Sequence, residues 1–184
     1  MVTQQDKLAL ITELASRSRG KLGRTALMKC LFLLNQLRDV PVSYDFRLYT
    51  HGPFDSDVLN DLQYAQALGA INSLSVAYPG GGRGYELHPG PQADAVKRDG
   101  QKFVKKYSQS IDWVLTEFGK RSALELEMAS TLIFVDRTNA ENHTKVPISD
   151  LAKTVHSIKP HLSMEVITRE AKKLRDKGHL RAAA

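Results

Sequence analysis

The chain has 184 residues, 42% of them hydrophobic, and a formal charge of +6 from 26 basic and 20 acidic residues. That length suits one ordinary domain or two small ones, and the apolar share suffices for a packed core. A single cysteine, Cys30, rules out an internal disulfide, no run of about 18 apolar residues offers a membrane span, and the N-terminus lacks a charged-then-apolar signal pattern.

The expectation is therefore a cytoplasmic protein with no membrane association, and the positive charge inclines it towards an acidic partner such as nucleic acid. In chain order, Thr3 is placed to cap a helix running to about Ser16, with Leu8, Ile11, Leu14 and Ala15 on one face. Arg17, Arg19, Lys21 and Arg24 crowd the connection that follows. A second helix, Arg24 to Leu37, carries Leu27, Leu31, Leu34 and Leu37 inward, widened by Met28, Cys30, Phe32 and Leu33.

Tyr44 to Tyr49 alternates as a strand with one buried face, and His51-Gly52-Pro53-Phe54 forms a corner, since Pro53 lacks an N–H and Gly52 tolerates unusual φ. Asp55 or Ser56 then caps a helix with Leu59, Leu62, Ala65 and Leu68 as its apolar positions, stopped at Gly69. An antiparallel hairpin is expected next, Ile71 to Tyr78 pairing with Tyr85 to Leu87 around the Gly-rich loop 79–84. Arg83 stands at its tip.

After Pro89-Gly90-Pro91, one long helix or two abutting at Gly100 reach Phe118, with a heptad-like stripe of Val96, Phe103, Tyr107, Ile111, Val114 and Phe118. Intrachain packing is the default cover for that stripe, and a homodimer is the alternative. Ser122 to Glu125 is a capping box opening a helix to Val135, followed by an expected polar loop, Asp136 to Lys145. Two short helices around Ile148 to Ile158 and from Ser163 to Gly178, joined at Lys159-Pro160-His161-Leu162, have the form of a helix-turn-helix. Ala182-Ala183-Ala184 is left out of the fold argument.

The fold class that follows is mainly α with a small antiparallel β-hairpin. The order helix, helix, strand, helix, hairpin defines a winged-helix-like module over 1–90. A connecting long helix over 91–121 and a helical, helix-turn-helix-like module over 122–181 complete the chain.

Candidate nucleic-acid-binding residues are Arg17, Arg19, Lys21, Arg24 and Arg83 in the first module. In the second they are Arg169, Lys172 and Lys173, which share a face with Arg175. Against the second set stand Glu165, Glu170 and Asp176 in the same helix, the composition of an ordinary solvated face. The helix Ser56 to Leu68 has the wrong sign for phosphates, with Asp55, Asp57 and Asp61 and no base. No catalytic residues, cofactor or metal are expected: no histidine pair has the zinc-hydrolase spacing, and the Gly-rich loop lacks the Lys-Ser/Thr ending of a phosphate loop. His51 is the residue to watch because it stands at the corner.

The runs RTALMKCLFLLNQ and YDFRLYTHGPFDSDVLNDL, then LGAI, resemble uncharacterised bacterial and archaeal winged-helix-like proteins with a Tyr/His-Gly-Pro-Phe corner. They also resemble, distantly, the Panacea domain known from antitoxins of the SocA type and from phage-associated proteins. The resemblance covers roughly Thr25 to Leu87, and the segments LELEMASTLIFV and SIKPHLSMEVITREAKKL extend it to a tail with a helix-turn-helix. It implies a regulatory or toxin-neutralising role. Two readings follow: a non-catalytic DNA-binding regulator in phage defence or toxin-antitoxin control, and an antitoxin-like module gripping a protein partner such as a toxin.

Overall fold

Local capping chemistry sets the first helix, α1 (Gln4–Ser18): the Thr3 hydroxyl accepts from the Asp6 N–H while the Asp6 carboxylate accepts from the Thr3 N–H at 2.9 Å. The computed structural model describes residues 1–77 and 82–183. They are mainly helical and divide into two compact units, Met1–Phe46 with Asp55–Arg121, and Arg47–Phe54 with Ser122–Ala184. The expected corner segment therefore clusters with the C-terminal helices and not with the helices that flank it in sequence.

In the first unit, α2 (Arg24–Arg38) is buried without interruption from Leu27 to Leu34, which explains why its apolar residues exceed a single stripe. Residues 44–46, expected as the first half of a strand, are irregular, yet Tyr44 and Phe46 keep the expected alternation as half-buried rings, and Phe46 meets Phe32 edge-on at 5.4 Å. Asp55 caps α3 (Ser56–Ala67), whose buried residues are Val58, Asp61, Leu62 and Ala65. Leu59 and Leu68, expected inward, are exposed, because Asp61 faces the interior and rotates the helix off the purely apolar register. There its carboxylate accepts from the Tyr44 hydroxyl at 2.8 Å and from the Gln4 amide at 2.5 Å.

The expected hairpin forms as β3 (Ile71–Ala77) antiparallel to β4 (Arg83–Pro89), with Ala77 opposite Arg83. Residues 78–81 of its loop lie outside the described residues. The predicted helix to Phe118 is three: α4 (Ala93–Asp99), α5 (Gln101–Lys106) and α6 (Ser108–Glu117). The first break has a steric cause. A Cβ on Gly100 would stand 2.4 Å from Cβ of Ala9, so the close approach to α1 needs glycine there. Most of the stripe finds cover within this unit: α4 and α5 lie on α1, α6 lies on α2, and Ile111, Val114 and Phe118 are fully buried, whereas Phe103 and Tyr107 are half-buried, their rings 4.8 Å apart.

In the second unit, α7 (Ala123–Glu141), α8 (Ile148–Ile158) and α9 (Met164–Asp176) pack on one another in pairs. The capping box of Ser122 and Glu125 is present. α7 continues to Glu141, six residues into the stretch expected to be a loop, while residues 142–145 form turn and coil as expected; Asp136 is buried, where it binds the end of the chain. Its carboxylate accepts from the backbone N–H groups of Arg181, Ala182 and Ala183 at 2.7–3.0 Å, and Ala183 bridges in parallel to Val146. Of the tail set aside on its sequence, Ala182 and Ala183 are thus part of this unit, and Ala184 lies outside the described residues.

Candidate functional site

The corner of the second unit is a tight hairpin, β1 (Arg47–Tyr49) antiparallel to β2 (Gly52–Phe54), turning at Thr50 and His51. Gly52 and Pro53, expected to end a strand, form one. Pro53 is tolerated because the two-stranded ribbon asks little of its nitrogen. Gly52 has φ +87°, and a Cβ there would stand 3.1 Å from the Thr131 hydroxyl and 3.2 Å from that of Ser130 on α7. The backbone of the corner therefore lies directly on α7.

A buried ion pair holds it. Lys159, at the end of α8, donates to the carbonyl oxygens of Tyr49 (3.2 Å) and Thr50, and its ammonium lies 2.9 Å from Oε1 of Glu127. Nearly all of both side chains is buried, so the charges offset each other away from water. Two exposed imidazoles complete the group: His51 Nδ1 lies 3.5 Å from Glu127 Oε2, and His161 Nε2 lies 3.6 Å from Oε1. Sequence spacing gave no sign of Glu127 or Lys159, which are remote from the corner in the chain. Among the described residues, no group of three His, Cys, Asp or Glu is arranged to hold a metal.

The same Lys159 belongs to the turn between α8 and α9, so the clamp that seats the hairpin also seats the turn. His156 Nδ1 meets the Leu162 carbonyl at 2.8 Å across that turn, and Ser163 caps α9 through the Val166 N–H. On α9, Arg169, Lys172 and Lys173 are exposed on one side and form no ion pair among the described residues. Glu170, one of the acids weighing against this helix, is buried instead. Exposed Asp176 is taken by Arg175 at 3.0 Å. The outer face of α9 is therefore more basic than its composition.

The first unit's candidates fall into two places. Arg17, Arg19 and Lys21 line an open cavity of about 380 Å³ with Lys120 and Asp112. Arg17 is committed there, donating to Glu13 at 2.6 Å and to Asp112 at 2.8 Å. Its partial burial works against the charge, and the two carboxylates outweigh that and raise its pKa. The C-termini of α1 and α6 both border this cavity, so its bases stand where helix dipoles favour cations. Arg24 instead stacks on Tyr85 of β4, 3.7 Å from the ring centroid, two residues along the strand from exposed Arg83. Cys30 offers no nucleophile: burial pushes its thiol up from 9.0 to about 12.

No family model matches this chain, and no curated protein matches it. No helix among the described residues is long and apolar enough to cross a membrane.

Proposed function

We propose that the protein is a non-catalytic, cytoplasmic nucleic-acid-binding regulator that docks on duplex DNA through the helix-turn-helix of α8 and α9, in transcriptional control of a phage-defence or toxin-antitoxin kind. The observation that carries this reading is the outer face of α9. Arg169, Lys172 and Lys173 recur at spacings of three and four on the second helix of the pair and form no ion pair among the described residues, although exposed Glu165 and Asp176 share their surface, while Glu170 is turned inward. Arg83 on the β3–β4 hairpin, Arg24 of α2 stacked on that hairpin's Tyr85, and Arg17, Arg19 and Lys21 are secondary phosphate contacts in this reading.

The test is binding of a labelled random duplex as salt is raised, for the wild type, for R169A/K172A/K173A, and for R17A/R19A/R24A/R83A. Each phosphate contact releases counterions, so wild-type affinity is expected to fall steeply with salt. The α9 variant is expected to flatten the log–log slope by about three. Wild-type binding that ignores salt, or none at low salt, overturns the reading.

A second reading, a Panacea-like antitoxin or other protein-interaction module, is favoured by a different surface. Tyr64 and Leu68 of α3, 49% and 39% exposed, border a groove of about 420 Å³ with Leu8, Val96, Gln4 and Asp99. Failure to bind DNA, together with capture of a toxin encoded beside the gene that is lost in Y64A/L68A, would place this reading first.

A further inference from the structure

His51 and His161 come from different parts of the chain, the turn of the β1–β2 hairpin and the turn before α9, yet both meet the carboxylate of Glu127. That carboxylate does not need them, since Lys159 already compensates it at 2.9 Å. Nor are the rings core residues: their side chains are 80% and 52% exposed. Each presents one nitrogen to Glu127, His51 through Nδ1 and His161 through Nε2, which leaves the nitrogen on the opposite edge of each ring available to a ligand. Among the described residues, the charged side chain that meets both rings is Glu127 from α7, and Lys159 from the end of α8 meets that same carboxylate.

We propose that His51 and His161 form a proton-dependent phosphate-contact site flanking the entry to α9, so that the β1–β2 hairpin serves the second unit as a wing. The assignment rests on the nucleic-acid reading above. With both rings neutral, the group of four side chains carries no net charge, Lys159 offsetting Glu127. With both protonated it carries +2, and each ring keeps one N–H on Glu127 while offering the other to a backbone phosphate. Histidine is the side chain whose charge ordinarily changes between pH 5 and 8, so a polyanion draws protons onto such a pair. His161 stands two residues before Ser163, the cap of α9, so the site lies at the N-terminal end of the helix that carries Arg169, Lys172 and Lys173.

The test measures affinity for a labelled duplex at constant ionic strength at pH 8.0, 7.0 and 6.0, with the salt slope at each pH. It compares wild type, H51Q/H161Q and the fixed-charge variant H51K/H161K. Wild type is expected to bind about tenfold more tightly at pH 6.0 than at pH 8.0, with a salt slope steeper by up to about two. H51Q/H161Q keeps the pH 8.0 affinity within about twofold and loses that gain, whereas H51K/H161K binds at pH 8.0 as the wild type does at pH 6.0. Equal gains in wild type and H51Q/H161Q overturn the proposal and assign the effect to His88, His143, His156 or His179. Binding that does not change with pH overturns it too, and in both cases the nucleic-acid reading stands. No duplex binding at any pH overturns both.

Discussion

Gly52 is held where an L side chain is strained twice, by φ +87° and by two hydroxyls of α7 within 3.2 Å of where a Cβ would sit. Gly52→Ala is expected to cost about 2 kcal/mol, and to lower the midpoint of thermal unfolding by roughly 4–8 °C. A change of less than 1 °C would show that the corner relaxes freely away from α7. That Gly52 marks a corner was legible from its neighbour Pro53 and the aromatic strand before it. What the corner presses against was not, because Glu127, Ser130 and Thr131 sit in a helix whose sequence looks merely amphipathic. Buried acids were the systematic blind spot. Asp61 looked like one of three surface charges on α3, and Asp136 like the start of a polar loop, yet both are interior acceptors. Only tertiary partners, the Tyr44 hydroxyl for one and the N–H groups of 181–183 for the other, make such burial affordable.

Helix limits followed local chemistry wherever a cap or breaker determined them, as at Thr3, Ser122, Ser163 and Pro160, and were misjudged where packing did. α3 is turned by Asp61, the run before Phe118 is cut at Gly100 by the nearness of α1, and α7 is prolonged by the chain end it binds. The join between α8 and α9 depends on Lys159, and its loss is informative. Lys159→Met strips the only described ion partner that is itself buried from Glu127, and is expected to destabilise the protein by about 3–5 kcal/mol. Adding Glu127→Leu removes the stranded charge and is expected to recover much of that loss. The check is a double-mutant cycle by urea unfolding, and strict additivity of the two changes would deny their coupling.

Considered together, the two units are not consecutive in sequence. The second begins with eight residues that lie inside the span of the first and resumes only at Ser122. A fragment of residues 122–184 therefore lacks the carbonyls that Lys159 binds. It is expected to show weak or non-cooperative unfolding, and a sharp transition matching the full chain would refute the need for the hairpin. Alternating hydrophobicity and turn residues announced the β3–β4 hairpin, the first strand of the corner and most helices, but not that Gly52–Phe54 would pair back on it. The interleaving was hidden, since local pattern carries no information on which distant helix a short ribbon will choose.

That interleaving also fixes an order of events. On the ribosome, where domains generally fold from the N-terminus onwards, the ribbon Arg47–Phe54 emerges long before α7 and α8 exist to receive it, so the first unit must mature around a loop whose partner is still unmade. A search across so many intervening residues is slow. Until it ends, Gly52 and Pro53, buried in the finished unit, have no helix to lie against, and that stretch is where a chaperone has most to do.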